Sequence, residues 1–118
     1  MNELERCRGW IEAALEYGGA THNFDDVTAL ILEGKLQLWP AERGCWVTEI
    51  TQYPRKKVLH VFLAGGELEQ VLDMHDDVIK WAKAQGCESL TQAGRKGWTK
   101  VLKKHGWKEQ LVLMEKRF

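Results

Sequence analysis

The residues of this chain best suited to move protons or bind metal are four histidines and three cysteines. His22, His60, His75 and His105 fall in four different predicted elements and show no HxH, HxxxH or HExxH spacing, so the pattern offers no metal site. Cys7, Cys45 and Cys87 form an odd set spaced 38 and 42 positions apart, which gives neither a CxxC zinc pattern nor a disulfide framework. Buried free thiols are expected. His60 and Glu49 lie on neighbouring predicted strands, and both are residue types that can accept a proton near neutral pH. A single histidine inside an apolar strand is more simply a packed, hydrogen-bonded core residue, and no catalytic residue is assigned.

A second group of candidates lies near the C-terminus. Residues 92–118 carry eight basic and two acidic side chains, a net of +6, so the neutral chain as a whole leaves −6 on residues 1–91. Such polarity can steer an acidic partner or a second copy to one end. Arg95, Lys96, Lys100, Lys104 and Trp107 are the predicted partner-binding residues. Basic residues interleaved with Trp98 and Trp107 also resemble a nucleic-acid grip, but Lys100, Lys103 and Lys104 flank the apolar side of a short helix as on any solvated helix. Contacts with protein are therefore expected ahead of nucleic acid. Six tryptophans are many for this length; Trp39, Trp46, Trp81 and Trp98 fit core positions by pattern, whereas Trp10 and Trp107 fit an interface as well.

The elements that must position these residues are legible from periodicity. With 118 residues, 44% of them hydrophobic, the chain suits one domain spanning residues 1–118 that buries its own core without disulfide or metal. Leu4, Cys7, Ile11, Ala14 and Leu15 recur at helical spacing and predict one helix ending at Tyr17 before Gly18-Gly19. Asn23 caps a second helix that ends near Glu33. Strands are predicted at Leu36–Trp39, Cys45–Thr51 and Val58–Ala64, joined by short polar links that favour an antiparallel meander. The last of these is apolar at nearly every step, as in a central strand covered on both faces. After Gly65-Gly66 a long helix runs to Gln85, followed by a strand at Cys87–Thr91, a helix at Arg95–Lys104 and a final strand at Glu109–Lys116. The order is ααβββαβαβ.

This order resembles the GCN5-related N-acetyltransferase (GNAT) family. The resemblance runs from Leu36 onward and rests on the apolar central strand, the glycine turn, the long helix, the short strand and the run from Gly94 through Trp98 to Gly106-Trp107. It is greatest to short acetyltransferase-like proteins of phages and prophages, some of which are virion components. The resemblance implies an α+β fold, a mixed, largely antiparallel twisted sheet with helices on both faces. In active members the turn after the central strand reads Q/R-x-x-G-x-G/A and wraps the acetyl-CoA pyrophosphate with bare amides at a helix start. Here Leu63-Ala64-Gly65-Gly66-Glu67-Leu68-Glu69 lacks the basic residue and adds two carboxylates. Gly65 and Gly66 are the only cofactor-binding candidates the resemblance supplies, and the turn is read as structural. Family enzymes also place a tyrosine on the helix after the short strand, and Arg95–Lys104 has none, since Tyr17 and Tyr53 lie elsewhere. The expectation is thus a non-catalytic acetyltransferase-like protein without a cofactor, acting through a protein partner or a homo-oligomer. An acyl-CoA-dependent N-acyltransferase with a divergent turn is the alternative. No apolar run is long enough to span a membrane, and the acidic N-terminus does not resemble a secretory signal, so the host cytoplasm or a virion is the expected location.

Overall fold

The computed structural model describes residues 2–94 and 96–118. Helix α1 (Glu3–Arg6) starts where the Asn2 side chain accepts the Glu5 amide at 2.8 Å, and α2 (Arg8–Tyr17) follows it directly. The predicted single helix is thus broken at Cys7. Next to the break, the Arg6 guanidinium donates to the Ala41 and Glu42 carbonyls at 2.7 and 3.1 Å, fastening the N-terminus to the corner between the first two strands. Helix α3 (Phe24–Leu32) carries a reciprocal cap: Asn23 Oδ1 accepts from the Asp26 amide at 2.8 Å, and Asp26 Oδ2 from the Asn23 amide at 3.0 Å.

Strands β1 (Gln37–Ala41), β2 (Gly44–Gln52) and β3 (Lys57–Gly66) form the predicted antiparallel meander. β4 (Ser89–Gln92) pairs parallel to β3, and the sheet order is β1-β2-β3-β4. Pro40 sits within β1, where an edge strand tolerates the missing amide donor. The long helix predicted up to Gln85 is two, α4 (Leu68–Asp73) and α5 (His75–Ala84), parted at Met74. Helix α6 (Lys96–Lys103) is shorter than Arg95–Lys104, and Arg95 and the Lys96 side chain lie outside the described residues.

The meander contains one irregularity that shapes everything around it. Val47 pairs with Leu63 and Thr48 with Val61, so Phe62 is an extra residue in β3. A bulge of this kind advances the pleat by one and flips the faces beyond it. Before it, Leu59 and Val61 pack with Val71, Val78 and Ala82 on the α4–α5 side; beyond it, Leu63 packs with Ile11, Leu15, Val27 and Val47 on the α2–α3 side. Phe62 joins Leu63 there, and Ala64 returns to the other side. The sheet is therefore covered by helices on both faces, as predicted, with two hydrophobic clusters separated by the strands. Each fully buried aliphatic side chain, such as Ile11 or Leu59, contributes about 1.5–3 kcal/mol through loss of apolar surface to water.

Two expectations need correction. The strand predicted at Glu109–Lys116 does not form: residues 107–118 have no ladder partner among the described residues, and Leu111, Val112, Leu113 and Met114 are all more than four-fifths exposed. Strand propensity cannot close a ladder without a second strand beside it, and this segment has none. Of the four tryptophans with core-like patterns only Trp46 is buried; Trp39, Trp81 and Trp98 are half-buried at the borders of the second cluster. Cys7, Cys45 and Cys87 are buried free thiols, as expected. Burial raises the pKa of both Cys7 and Cys45, so neither is a ready thiolate.

Candidate functional site

β3 and β4 stay together only over Val58–Val61 and Ser89–Gln92, after which β3 continues to Gly66 while the chain beyond Gln92 departs toward α6. Where the two strands part, the structure leaves a cavity of about 140 Å³ bordered by Ala14 and Leu15 of α2, by His60, Phe62 and Leu63 of β3, and by Ala93. Small-molecule pockets run to roughly 300–1,000 Å³, so this space is the size of a fragment.

His60 is the titratable group at this opening. Its Nδ1 shares a hydrogen bond of 3.0 Å with the Thr91 hydroxyl across the parallel pair, and Glu49 is its register partner across the antiparallel one. Burial pushes the imidazole below its ordinary pKa, while the Glu49 carboxylate pulls it back up by a smaller amount. The ring is therefore neutral at neutral pH and held by Thr91, a partner that sequence reasoning did not identify because it lies 31 residues away. Neither tyrosine is placed here: Tyr53 belongs to the β2–β3 turn, and Tyr17 ends α2 with 69% of its surface exposed.

The glycine turn at the end of β3 closes on the protein itself. Gly65 pairs with Cys45 and Gly66 with Gly44, so the ladder runs to the last residue of the strand. A side chain on Gly65 would meet the Trp10 carbonyl oxygen at 2.9 Å and its Cβ at 3.0 Å. At Gly66, φ is +107°, and a Cβ there would collide with the Arg43 carbonyl and Gly44 Cα. The next amide, that of Glu67, is spent on the Arg43 carbonyl at 2.8 Å. Arg43 also brings the turn a cation that the local motif lacks, but its guanidinium lies 3.3 Å from the Glu67 carboxylate. The helix that follows, α4, has six residues and carries Glu69 in its first turn.

Of the predicted partner-binding residues, Lys100 and Lys104 are exposed on and just after α6. Trp107 is half-buried against the second cluster, and its indole N–H donates to His75 Nε2 at 2.9 Å. That bond requires the tautomer of His75 whose Nε2 is bare. His105 stacks obliquely on the same imidazole, with ring centroids 5.8 Å apart. The His75–Trp107 pair fixes the point from which residues 108–118 leave the body.

No model of a known protein family and no curated protein sequence matches this chain. Solved structures do. A glucosamine-6-phosphate N-acetyltransferase from Arabidopsis thaliana aligns over all of this chain and 95% of its own, with a TM-score of 0.65 and 15% identity. A Trypanosoma brucei acetyltransferase aligns over 81% of this chain and 78% of its own, with a TM-score of 0.65 and 10% identity. A mutant of a Bacillus halodurans protein aligns over 98% and 92%, with a TM-score of 0.71 and 14% identity. At these identities the likeness is one of fold: the chain shares the α+β architecture of these acetyltransferase structures, a GNAT-like fold.

Proposed function

We propose that this acetyltransferase fold works as a protein-contact module and does not transfer acyl groups. The observation that carries the reading is the closed glycine turn. To hold a pyrophosphate, the turn would have to present free amides and open space; here Gly65 is packed on Trp10, Gly66 on Arg43 and Gly44, and the Glu67 amide is already bonded. Glu67 takes up the Arg43 cation at 3.3 Å and Glu69 leaves a negative charge in the first turn of α4, a like-charge contact costing on the order of a kcal/mol near a surface. These contacts and charges count against an acetyl-CoA pyrophosphate at the glycines themselves. The missing tyrosine and the small cavity beside His60 point the same way. Acidic residues at a helix start are, by contrast, good partners for the helix dipole.

The contacts themselves fall to the basic end of the chain, with Arg95, Lys96, Lys100 and Lys104 supplying charge toward an acidic partner or a second copy. The resemblance to short phage and prophage relatives supports a setting in a virion or in the host cytoplasm during takeover. Among the described residues no helix is long and apolar enough to cross a membrane. A turnover assay tests the reading: release of free coenzyme A from acetyl-CoA, with a panel of primary amines as acceptors, should not rise above the buffer rate. Release that rises with enzyme concentration and disappears in His60→Gln would establish catalysis at the β3–β4 opening and refute the proposal.

A further inference from the structure

We infer that His75 and Trp107 form a pH-sensitive latch: the neutral imidazole holds the end of α6 against the α4–α5 junction, and protonation of that imidazole releases it. The inference goes beyond the contact-module reading and does not depend on it, since an enzyme could carry the same latch. An indole N–H can only donate, so the 2.9 Å bond from Trp107 Nε1 needs a lone pair on His75 Nε2. An imidazolium has none, because both of its nitrogens carry protons. Two N–H groups would then face each other at hydrogen-bond distance, at a residue only 8% exposed, where water has little access to separate them. Docking of Trp107 and protonation of His75 therefore exclude one another. Histidine is the side chain whose charge ordinarily changes within about pH 5–8, so the latch is closed at the upper end of that range and opens as pH falls.

The groups around the imidazole support the same response. In the tautomer that accepts from Trp107 the proton is on Nδ1, which lies 3.4 Å from Asp76 Oδ1, the one carboxylate within 4 Å of the ring among the described residues. His105 comes from the turn after α6, its ring centroid 5.8 Å from that of His75, so acid that charges both rings adds repulsion between the two elements. β2 contributes the neutral Trp46 ring, 6.4 Å away. The charges nearest along the packed helices, Glu69 and Asp73 of α4, Asp77 of α5, and Lys103 and Lys104 at the end of α6, are exposed to solvent, which screens them. Trp107 also closes α6: its amide donates to the Leu102 carbonyl at 3.2 Å and the Gly106 amide, at φ +88°, to the Lys103 carbonyl at 3.2 Å, the paired bonds of a Schellman end. His75 is the first residue of α5, directly after the break at Met74. One bond thus ties the helix break to the end of α6, and its loss frees that end and residues 108–118 from the body.

Indole N–H signals in the proton–nitrogen NMR spectrum of the full chain test the inference, with Trp107 assigned by the signal that Trp107→Phe removes. As pH falls through the range from about 8 to about 5, the Trp107 signal should pass from a bonded, slowly exchanging position to that of a free indole, in step with the His75 ring signals, while the other tryptophans keep theirs. His75→Gln offers a carbonyl oxygen that accepts at every pH, so there the Trp107 signal should stay bonded throughout. Trp107→Phe keeps an aromatic ring but no donor, and His75 should then take up its proton at a higher pH than in the parent, the reciprocal effect that linkage requires. A Trp107 signal that does not change over this range overturns the inference. So does a change that persists in His75→Gln, or a His75 titration that Trp107→Phe leaves where it was. Loss of all indole signals together would mean that the domain unfolds as a unit, and would overturn it as well.

Discussion

Replacing Gly66 by alanine tests whether the turn after β3 is closed by the protein's own backbone. Two costs follow from the geometry. At φ +107° a side chain is strained whatever the space, at roughly 1–3 kcal/mol. The new Cβ also falls on the Arg43 carbonyl and Gly44 Cα, both backbone atoms of β2 and its turn, and forcing atoms into filled space costs typically another 1–3 kcal/mol. The total is about 2–6 kcal/mol, and a domain of this size loses about 4 °C in melting temperature per kcal/mol, so Gly66→Ala should melt about 8–24 °C below the parent. Gly19→Ala is the matched control. Gly19 also has positive φ, +89°, but nothing lies within 4 Å of its notional Cβ, so only the conformational part of the cost is expected. Differential scanning calorimetry on the two variants without ligand isolates the contact. A glycine kept for the approach of a phosphate would tolerate alanine's volume in the free protein. Equal melting temperatures for the two variants would therefore show the turn open and remove the main support for a non-catalytic reading.

Trp46 and Trp98 should separate by burial. Trp46 is 4% exposed and its indole N–H donates to the Val71 carbonyl at 3.0 Å, so Trp46→Ala should destabilise by about 3–5 kcal/mol in chemical denaturation, with the half-buried Trp98→Ala clearly below that. His60 governs part of the acid response. Its pKa is lowered in the folded protein, so below the ordinary value of 6.5 the unfolded chain binds the proton first. Its contribution is present above that value and is lost as pH falls toward the folded pKa. Melting temperature should therefore drop through this window less steeply in His60→Asn, and a parallel pH slope in the two proteins would contradict the assignment. Association through Arg95, Lys96, Lys100 and Lys104 should weaken with added salt, given a screening length of about 8 Å at physiological ionic strength, and charge-neutral variants of these four should abolish the salt dependence measured by sedimentation. Short single- or double-stranded DNA added to the same series should not bind; binding with a steep salt slope would favour a nucleic-acid partner instead.

The sheet and its helices were readable because their signals are local. The runs Cys45–Thr51 and Val58–Ala64 are β-formers bounded by polar links, and Asn23 with Asp26 writes a helix start within four residues. What escaped the sequence depends on contacts across the fold. The breaks at Cys7 and Met74 lie inside continuous helical stripes. The bulge at Phe62 is hidden because Val58 through Leu63 is apolar whichever face each residue takes, apart from His60. The Glu109–Lys116 prediction failed for a related reason, since a strand exists only by virtue of its neighbour. At the candidate site, the altered glycine spacing and the two carboxylates were visible in the turn itself. Its closure was not, because Trp10 and Arg43 come from 55 and 24 residues upstream of Gly65 and Glu67. Thr91 was missed as the partner of His60 on the same grounds.

Binding of acetyl-CoA is the most direct test of whether this fold has kept its cofactor site. A ligand present at 100 times its dissociation constant adds about 2.7 kcal/mol to stability, equivalent to about 10 °C in melting temperature for a domain of this size. Calorimetric titration and thermal unfolding of the full chain should give no heat beyond dilution and no shift with millimolar acetyl-CoA. A dissociation constant in the low micromolar range, strengthened further in Glu67→Arg as repulsion is relieved, would contradict the account at its centre.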